Sequence, residues 1–218
     1  MREAAMQFEN RCDAGGQLAA RLARYGGCSD AIVLALPRGG VAVGYEIAVA
    51  LSLPLDVFLV RKLGVPCSEE LAMGAIASGG VRVLNDEIVE LLGISHETID
   101  EVTQRERVEL ERRERVYRGD RPEPEVEGRT VILVDDGLAT GASMRAAVSA
   151  LRAQNPARIV VAVGVAPPDT YREFAAMVDE VVAVMTPEPF SGVGAWYRDF
   201  SQMTDDEVRS LLERAARR

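Results

Sequence analysis

The sequence predicts an α/β fold: a doubly wound, mainly parallel five-stranded sheet with flanking helices, a small hood and a flexible lid loop. Helical patterns alternate with apolar runs that lack polar alternation, as is typical of strands buried on both faces. The predicted strands are 31–36, 55–60, 131–134, 158–163 and 181–185. Glycine-rich loops follow two of them, at the carboxyl ends where open α/β sheets bind ligands.

Length and composition limit the classes of protein that fit. A chain of 218 residues fits one domain, with a core at about 30–185, a helical insertion at about 86–118, and a hood built from the N-terminal segment and about 186–218. The net charge of −9 argues against sequence-independent nucleic-acid binding. No apolar run approaches the roughly 20 residues that span a bilayer, and no signal peptide is evident. We expect a soluble, cytoplasmic protein without a membrane partner.

The N-terminal segment predicts an amphipathic helix over 13–24 that stops at Gly26. Just before it and at its start, Phe8, Arg11 and Asp13 allow two interpretations. They are parts of a substrate lid, or they anchor and cap the helix.

The first strand runs directly into Pro37-Arg38-Gly39-Gly40, and a helix over 41–51 follows. A glycine loop at a helix N-terminus offers free amide groups to an anion, and a guanidinium can make two hydrogen bonds to a phosphate. The loop therefore predicts an anion site with Arg38, Gly39 and Gly40 as ligands. The alternative is an ordinary turn with a surface arginine.

The second strand, 55–60, is followed by Arg61 and Lys62. We expect both cations at the ligand-binding edge of the sheet, or else at a solvated strand end. The next stretch, 63–74, is bounded by glycines and is predicted to be an irregular, mobile lid. Two short strands, 75–78 and 81–84, then flank a glycine turn.

The predicted insertion contains two helices, one capped by Asn85 and a longer one over 95–118. The longer helix carries Glu/Arg pairs four residues apart in the favourable order. These pairs are Glu101/Arg105, Glu109/Arg113, Glu111/Arg115 and Glu114/Arg118. Such mixed charge is typical of a solvated face and disfavours an RNA-binding arm. A homodimer contact is an equal alternative, through the sparse apolar stripe Ile99, Val102, Leu110 and Tyr117.

The third strand, 131–134, leads into Asp135 and Asp136, and a loop of small and hydroxyl residues then opens a helix near 142. A phosphate fits over this helix N-terminus, and the two carboxylates can accept hydrogen bonds from sugar hydroxyls. The stretch predicts a ribose phosphate site; the alternative is a turn whose acids cap a helix. The phosphate ligands would be Leu138, Ala139, Thr140, Gly141, Ala142 and Ser143.

This stretch of about 13 residues resembles the phosphoribosyl-diphosphate (PRPP) motif of type I phosphoribosyltransferases. The resemblance implies a nucleotide-salvage transferase in which a nucleobase-like nitrogen displaces Mg²⁺-bound diphosphate from C1 of the ribose. Asp135 and Asp136 would hold the ribose hydroxyls and orient Mg²⁺ through water or substrate. Arg38 and Lys62 would stabilise the leaving diphosphate, with Arg61 second. Family members often carry a non-proline cis peptide in the loop at 37–40.

The tail from 186 to 200 collects aromatic residues, and in the family this segment forms a hood over the acceptor base. Phe190 and Trp196 are the stacking candidates, and a small satellite core is the alternative. Thr204 to Glu207 predicts a capping box for the last helix.

Ala139 stands where hypoxanthine-type members carry an acid and adenine-type members an alanine, so the acceptor base is left open. Glu69 or Glu70 of the lid could supply the proton acceptor. Two rival functions remain: a PRPP-binding regulator with little or no catalysis, and a nucleotide-binding α/β protein without transferase activity.

Overall fold

The computed structural model describes residues 7–66 and 68–217, and it confirms the predicted α/β fold. Five parallel strands form the main sheet in the order β2-β1-β6-β7-β8, and three antiparallel strands form a ribbon, β3-β4-β5. The strands are β1 (Ala31–Ala35), β2 (Leu55–Val57), β3 (Val60–Val65), β4 (Ser68–Ala77), β5 (Val81–Leu84), β6 (Thr130–Gly137), β7 (Arg158–Val165) and β8 (Glu180–Met185). The helices are α1 (Arg11–Arg21), α2 (Gly39–Leu51), α3 (Asp86–Leu92), α4 (His96–Arg118), α5 (Ala142–Arg152), α6 (Pro168–Met177) and α7 (Asp205–Ala216).

The main sheet is buried on both faces, as its continuous apolar strands predict. Along β1, Val33 belongs to the apolar cluster that includes residues of α1, α2, α4 and α7, whereas Leu34 belongs to the cluster that includes residues of α5 and α6. Alternate side chains of a strand point to opposite faces. An unbroken apolar run is therefore what a strand between two helical layers requires.

The lid prediction is wrong in its secondary structure. Residues 63–74 lie largely in β3 and β4, which pair as an antiparallel ribbon with irregular register near Gly64. The glycines do not bound a loop: Gly74 lies within β4, where a Cβ would collide with the backbone of β5. The second main-sheet strand also ends at Val57, earlier than predicted. Arg61 and Lys62 consequently lie in the ribbon and not at the end of a main-sheet strand.

Helix α4 has the predicted bounds, and the Ser95 side chain caps it by accepting a hydrogen bond from Thr98 N. The mixed-charge face of α4 is solvated as predicted, with Glu101, Arg105 and Arg112 exposed, but the dimer contact predicted for the apolar stripe is wrong. The four stripe residues are at most 6% exposed because they pack against the core of the same chain. The predicted pair Glu109/Arg113 forms at 2.7 Å, whereas Arg118 turns inward to Asp56 and the carbonyl of Val57.

The helix caps predicted from local sequence for α3 and α7 are confirmed. Asn85 accepts a hydrogen bond from Ile88 N at the start of α3, and Thr204 and Glu207 form the capping box of α7. The first helix begins at Arg11 with Asn10 as its cap, slightly earlier than predicted. Among the described residues, none of the helices has the length and apolar character needed to cross a bilayer.

Candidate functional site

Two loops meet where neighbouring parallel strands end. Strands β1 and β6 pair with Ala35 opposite Val134, so the loop after β1 and the loop after β6 leave the same edge of the sheet. The loops are in backbone contact: a Cβ on Gly40 would lie 2.6 Å from the carbonyl oxygen of Val134 and 3.0 Å from the Cα of Asp135. Only glycine permits this approach.

The loop at 37–40 contains a cis peptide between Pro37 and Arg38, the feature that the resemblance suggested. Helix α2 begins at the next residue, so its N-terminal amides face this edge. The Arg38 guanidinium lies 3.8 Å from Oδ1 of Asp205 at the start of α7, and both side chains are about 40% exposed. The same Asp205 oxygen accepts a hydrogen bond from the Tyr117 hydroxyl at 2.7 Å.

Asp135 faces a small cavity of about 180 Å³, whose other walls include Pro37, Arg61 and Ser143. Its Oδ1 accepts a hydrogen bond from the amide of Asp136 at 2.8 Å. Burial raises the pKa of Asp135 well above the ordinary value, and the neighbouring Asp136 carboxylate raises it further. A cation or hydroxyl donors at this point would favour the ionised form.

Asp136 is held by Arg11, with 2.8 Å between Nε and Oδ2, and the two side chains are only 12% and 13% exposed. Burial raises the pKa of Asp136, and the hydrogen bond and charge of Arg11 oppose that shift. From the sequence, Arg11 was predicted to be part of a substrate lid or to anchor the first helix. Neither prediction included an ion pair with Asp136. The two residues are 125 positions apart, and no local pattern links them.

Aromatic rings surround the ion pair. Tyr197 lies between Phe8 and Phe200, with ring centroids 5.0 and 5.1 Å apart, and the Arg11 guanidinium lies 4.1 Å from the Phe200 centroid. The Tyr197 hydroxyl donates to the carbonyl of Asp136 at 2.6 Å, and burial raises the pKa of this tyrosine. Main-chain hydrogen bonds join Phe8 to Trp196 and to Arg198. The stretch from Phe8 to Arg11 and the hood residues 196–200 thus form one unit beside the acids.

The stacking candidates, Phe190 and Trp196, are partly buried and pack against the core cluster. That packing fits the satellite-core alternative, while their role toward a base stays a prediction. The indole Nε1 of Trp196 is buried and makes no hydrogen bond to the part of the chain that the structure describes.

The loop at 138–141 presents backbone at the start of α5, as predicted. Gly141 has a φ of 73° and precedes the first helical residue, Ala142, whose amide lies 3.5 Å from the Thr140 hydroxyl. The loop is braced from outside, because Arg145 donates to the carbonyl of Thr140 at 2.6 Å and Thr170 donates to that of Ala139 at 3.2 Å. These two bracing residues were not predicted.

The two ribbon cations line different cavities. Arg61 lines the same cavity as Asp135, and Glu106 of α4 binds both its Nε, at 2.9 Å, and its Nη2, at 2.6 Å. Lys62 lines a separate cavity of about 410 Å³ between the ribbon and α5, together with Arg145. The side chains of the proposed proton acceptors, Glu69 and Glu70, lie outside the described part of the structure.

The donor set suits a metal that arrives with a substrate. Within residues 7–66 and 68–217, no cluster of three or more His, Cys, Asp or Glu side chains could hold an ion. Mg²⁺ commonly binds one or two carboxylates together with substrate phosphates and water. Asp135 and Asp136 fit that pattern.

Comparison with known proteins agrees with this arrangement of the sheet edge. The family model for the phosphoribosyl transferase domain matches residues 6–188. The chain belongs to this family. The matched residues include both loops of the site.

Individual proteins similar to this phosphoribosyl transferase domain extend the comparison. The crystal structure of TT1426 from Thermus thermophilus is 43% identical, covers 95% of this chain and 98% of that one, and superposes with a TM-score of 0.87. Two Mycobacterium tuberculosis proteins, MT0597 of strain CDC 1551 and Rv0571c of strain H37Rv, each carry the name "putative phosphoribosyl transferase". Both are 47% identical over 210 residues, which are 96% of this chain and 47% of theirs. The chain thus spans about half the length of these curated relatives.

Proposed function

We propose that the chain binds PRPP across its two glycine loops and transfers the ribose 5-phosphate to a nucleobase-like nitrogen, with release of diphosphate. The observation that carries the proposal is the backbone contact between the loop at 37–40 and the acid pair at the end of β6. One ligand with an anion at each end and hydroxyls between them fits such an edge. Catalysis would consist mainly of positioning and charge neutralisation.

The 5-phosphate would lie at the N-terminus of α5. Free amides and the helix dipole favour an anion there, and the φ of 73° at Gly141 turns the chain into the helix. The Thr140 and Ser143 hydroxyls would add donors. The complete set is Leu138, Ala139, Thr140, Gly141, Ala142 and Ser143.

The two acids would have different tasks. Asp135 faces the cavity, so its carboxylate would accept hydrogen bonds from the ribose hydroxyls. Asp136 already binds Arg11 through Oδ2. It would contribute mainly by orienting Mg²⁺ through water or substrate, together with Asp135.

The leaving diphosphate would lie over Arg38 and the amides of Gly39 and Gly40. Arg61 at the cavity wall would be the next cation, once the diphosphate competes with Glu106 for its guanidinium. Lys62 would contact the diphosphate from the ribbon. Bound Mg²⁺ would supply further positive charge to the leaving group.

The acceptor is proposed to be a nucleobase, held by the hood with Phe190 or Trp196. The face of either aromatic ring would stack on the base. Ala139 offers no carboxylate to the base, so Glu69 or Glu70 of the ribbon remains the proposed proton acceptor.

Titration with PRPP, with and without Mg²⁺, tests the proposal, followed by measurement of diphosphate release with a panel of nucleobases. Saturable binding with Mg²⁺ and release with at least one base are expected. Binding without release on any base would favour the PRPP-binding regulator. Absence of PRPP binding would refute the proposed function.

A variant of Asp135, the acid that faces the cavity, tests whether PRPP binds at the proposed site. Asp135→Asn keeps the acceptor for the amide of Asp136 but removes the charge, so PRPP affinity should fall about tenfold, the scale of one charge-assisted hydrogen bond. Calorimetry measures the change. Asp206→Asn is the matched control, because that side chain is 91% exposed on α7 and should leave the affinity unchanged.

A further inference from the structure

We propose that Arg11 is a positioning residue that fixes the hood segment, residues 196–201, against the acid pair. The inference rests on the proposed function only in assigning that acid pair to PRPP. The coupling between hood and acids follows from contacts that hold whatever the ligand is.

Arg11 makes three different contacts with one guanidinium. Its Nε donates to the Asp136 carboxylate at 2.8 Å, its Nη1 donates to the carbonyl of Ser201 at 2.8 Å, and its Cζ lies over the Phe200 ring, 4.1 Å from the centroid. Only a planar group with several donors can bind a carboxylate and a carbonyl while it stacks on a ring. The ammonium group of a lysine could keep the positive charge but could not make all three contacts.

The ion pair also lies directly under the loop proposed to hold diphosphate. A Cβ on Gly39 would collide with the Asp136 carboxylate and would lie 3.0 Å from Nε of Arg11. A shift of the Arg11 guanidinium would therefore displace the loop at 37–40 as well as the hood segment. Arg11 thus connects the acid pair, the loop at 37–40 and the hood segment.

A more exposed ion pair, which joins the stretch before α1 to the hood segment, provides a natural comparison. Arg198 and Glu9 approach to 2.5 Å, but their side chains are 64% and 62% exposed. Exposed pairs contribute little to stability because water and salt screen them. Arg11 and Asp136 are shielded from water, so loss of Arg11 would leave a mostly buried carboxylate without its cation.

Trp196 reports on the hood directly, because it is the single tryptophan of the chain. Its carbonyl accepts a hydrogen bond from the amide of Phe8, close to Arg11 in sequence. Acrylamide quenching of its fluorescence in Arg11→Met should increase relative to the wild type, as the hood loosens. The PRPP dissociation constant should rise about tenfold. Arg11→Lys should lie between the wild type and Arg11→Met in both measurements, and Arg198→Met should match the wild type.

Quenching and PRPP affinity like the wild type in Arg11→Met would overturn the inference, and so would equal effects of Arg11→Met and Arg198→Met. Should Arg11→Met not fold, Arg11→Lys decides: greater quenching than in the wild type supports the role, and unchanged quenching refutes it. Quenching does not require PRPP. A wild type that binds no PRPP would therefore contradict the proposed function while the coupling of Arg11 to the hood is still measured.

Discussion

At the scale of single residues, the adjacent acids Asp135 and Asp136 are not equivalent. Asp135 faces a cavity, and Asp136 is bound by an arginine from the other end of the chain. Their sequence context is nearly identical, so the difference arises from what tertiary packing brings beside each one. A carboxylate with a buried cation partner is less available to a ligand than one that faces open space.

The glycines of the loop at 37–40 provide a prediction at this scale. A methyl group on Gly40 would collide with the backbone of Val134, which cannot move aside without disturbing the sheet. Gly40→Ala should weaken binding of inorganic diphosphate at least about tenfold, as calorimetry can measure.

The control is Gly16→Ala in α1, because no atom lies within 4 Å of the added methyl group there. That change should leave diphosphate binding intact and raise the free energy of unfolding by about 0.5–1 kcal/mol. Equal diphosphate affinity in both variants would show that the approach of Gly40 to β6 is irrelevant to the ligand.

At the scale of elements, α4 and α7 meet at one shared carboxylate. Asp205, in the first turn of α7, accepts a hydrogen bond from Tyr117 near the end of α4 and lies beside Arg38 of the loop at 37–40. The helix bounds are set locally by caps. The position of α4 relative to α7 depends on the contact at Asp205 and on the buried apolar stripe of α4.

The phenol of Tyr117 makes this junction sensitive to alkaline pH. Burial, followed by the hydrogen bond to Asp205, raises its pKa from 10.0 to about 12. A raised pKa means that the phenol contributes stability fully below about pH 10, and that this stability is lost as the pH rises from about 10 to about 12.

Tyr117→Phe should lower the free energy of unfolding by about 1 kcal/mol near neutral pH, the scale of one hydrogen bond. It should also remove part of the wild-type decline between about pH 9 and about pH 11. Urea unfolding of both proteins at about pH 9 and at about pH 11 measures these changes in the free energy of unfolding. Parallel declines in the two proteins would contradict the assignment to Tyr117.

The sequence predicts those parts of the molecule that local physics determines. The buried strands, the caps at Asn85, Ser95 and Thr204, and the two glycine loops all follow from short-range patterns. The two short strands around the glycine turn at 79–80 were predicted and pair as the end of β4 with β5. The pairing of β3 with the first part of β4 was missed because Gly64 and Gly74 indicate turns locally, whereas neighbouring strands keep them extended.

Long-range pairs could not be predicted in the same way. The partners of Arg11, Arg61 and Arg118 come from distant elements, and an arginine in a polar segment resembles any solvated arginine. The i,i+4 rule favoured Glu114 for Arg118. Burial at the end of α4 directed the side chain to Asp56 instead.

At the scale of the whole molecule, Arg118 joins the helical insertion to the edge of the main sheet. Its side chain is 4% exposed, lies 3.4 Å from Oδ2 of Asp56, and donates to the carbonyl of Val57 at 3.2 Å. Burial raises the pKa of Asp56, and the charge of Arg118 opposes that shift.

Arg118→Met should therefore destabilise the protein by about 3 kcal/mol, because it leaves Asp56 buried without its cation. Adding Asp56→Asn should recover part of the loss. Arg115→Met, on the exposed face of the same helix, should change stability by less than about 0.5 kcal/mol. Urea unfolding compares the set, and a loss in Arg118→Met no larger than that in Arg115→Met would refute this account.

The ribbon formed by β3 and β4 has a thermodynamic consequence for any ligand that it covers. Ordering a free loop costs roughly 1–2 kcal/mol per residue in backbone entropy. Residues paired as strands have already lost that freedom in the folded protein. Contact between the ribbon and a ligand would therefore carry little of the entropic penalty that accompanies a disorder-to-order transition.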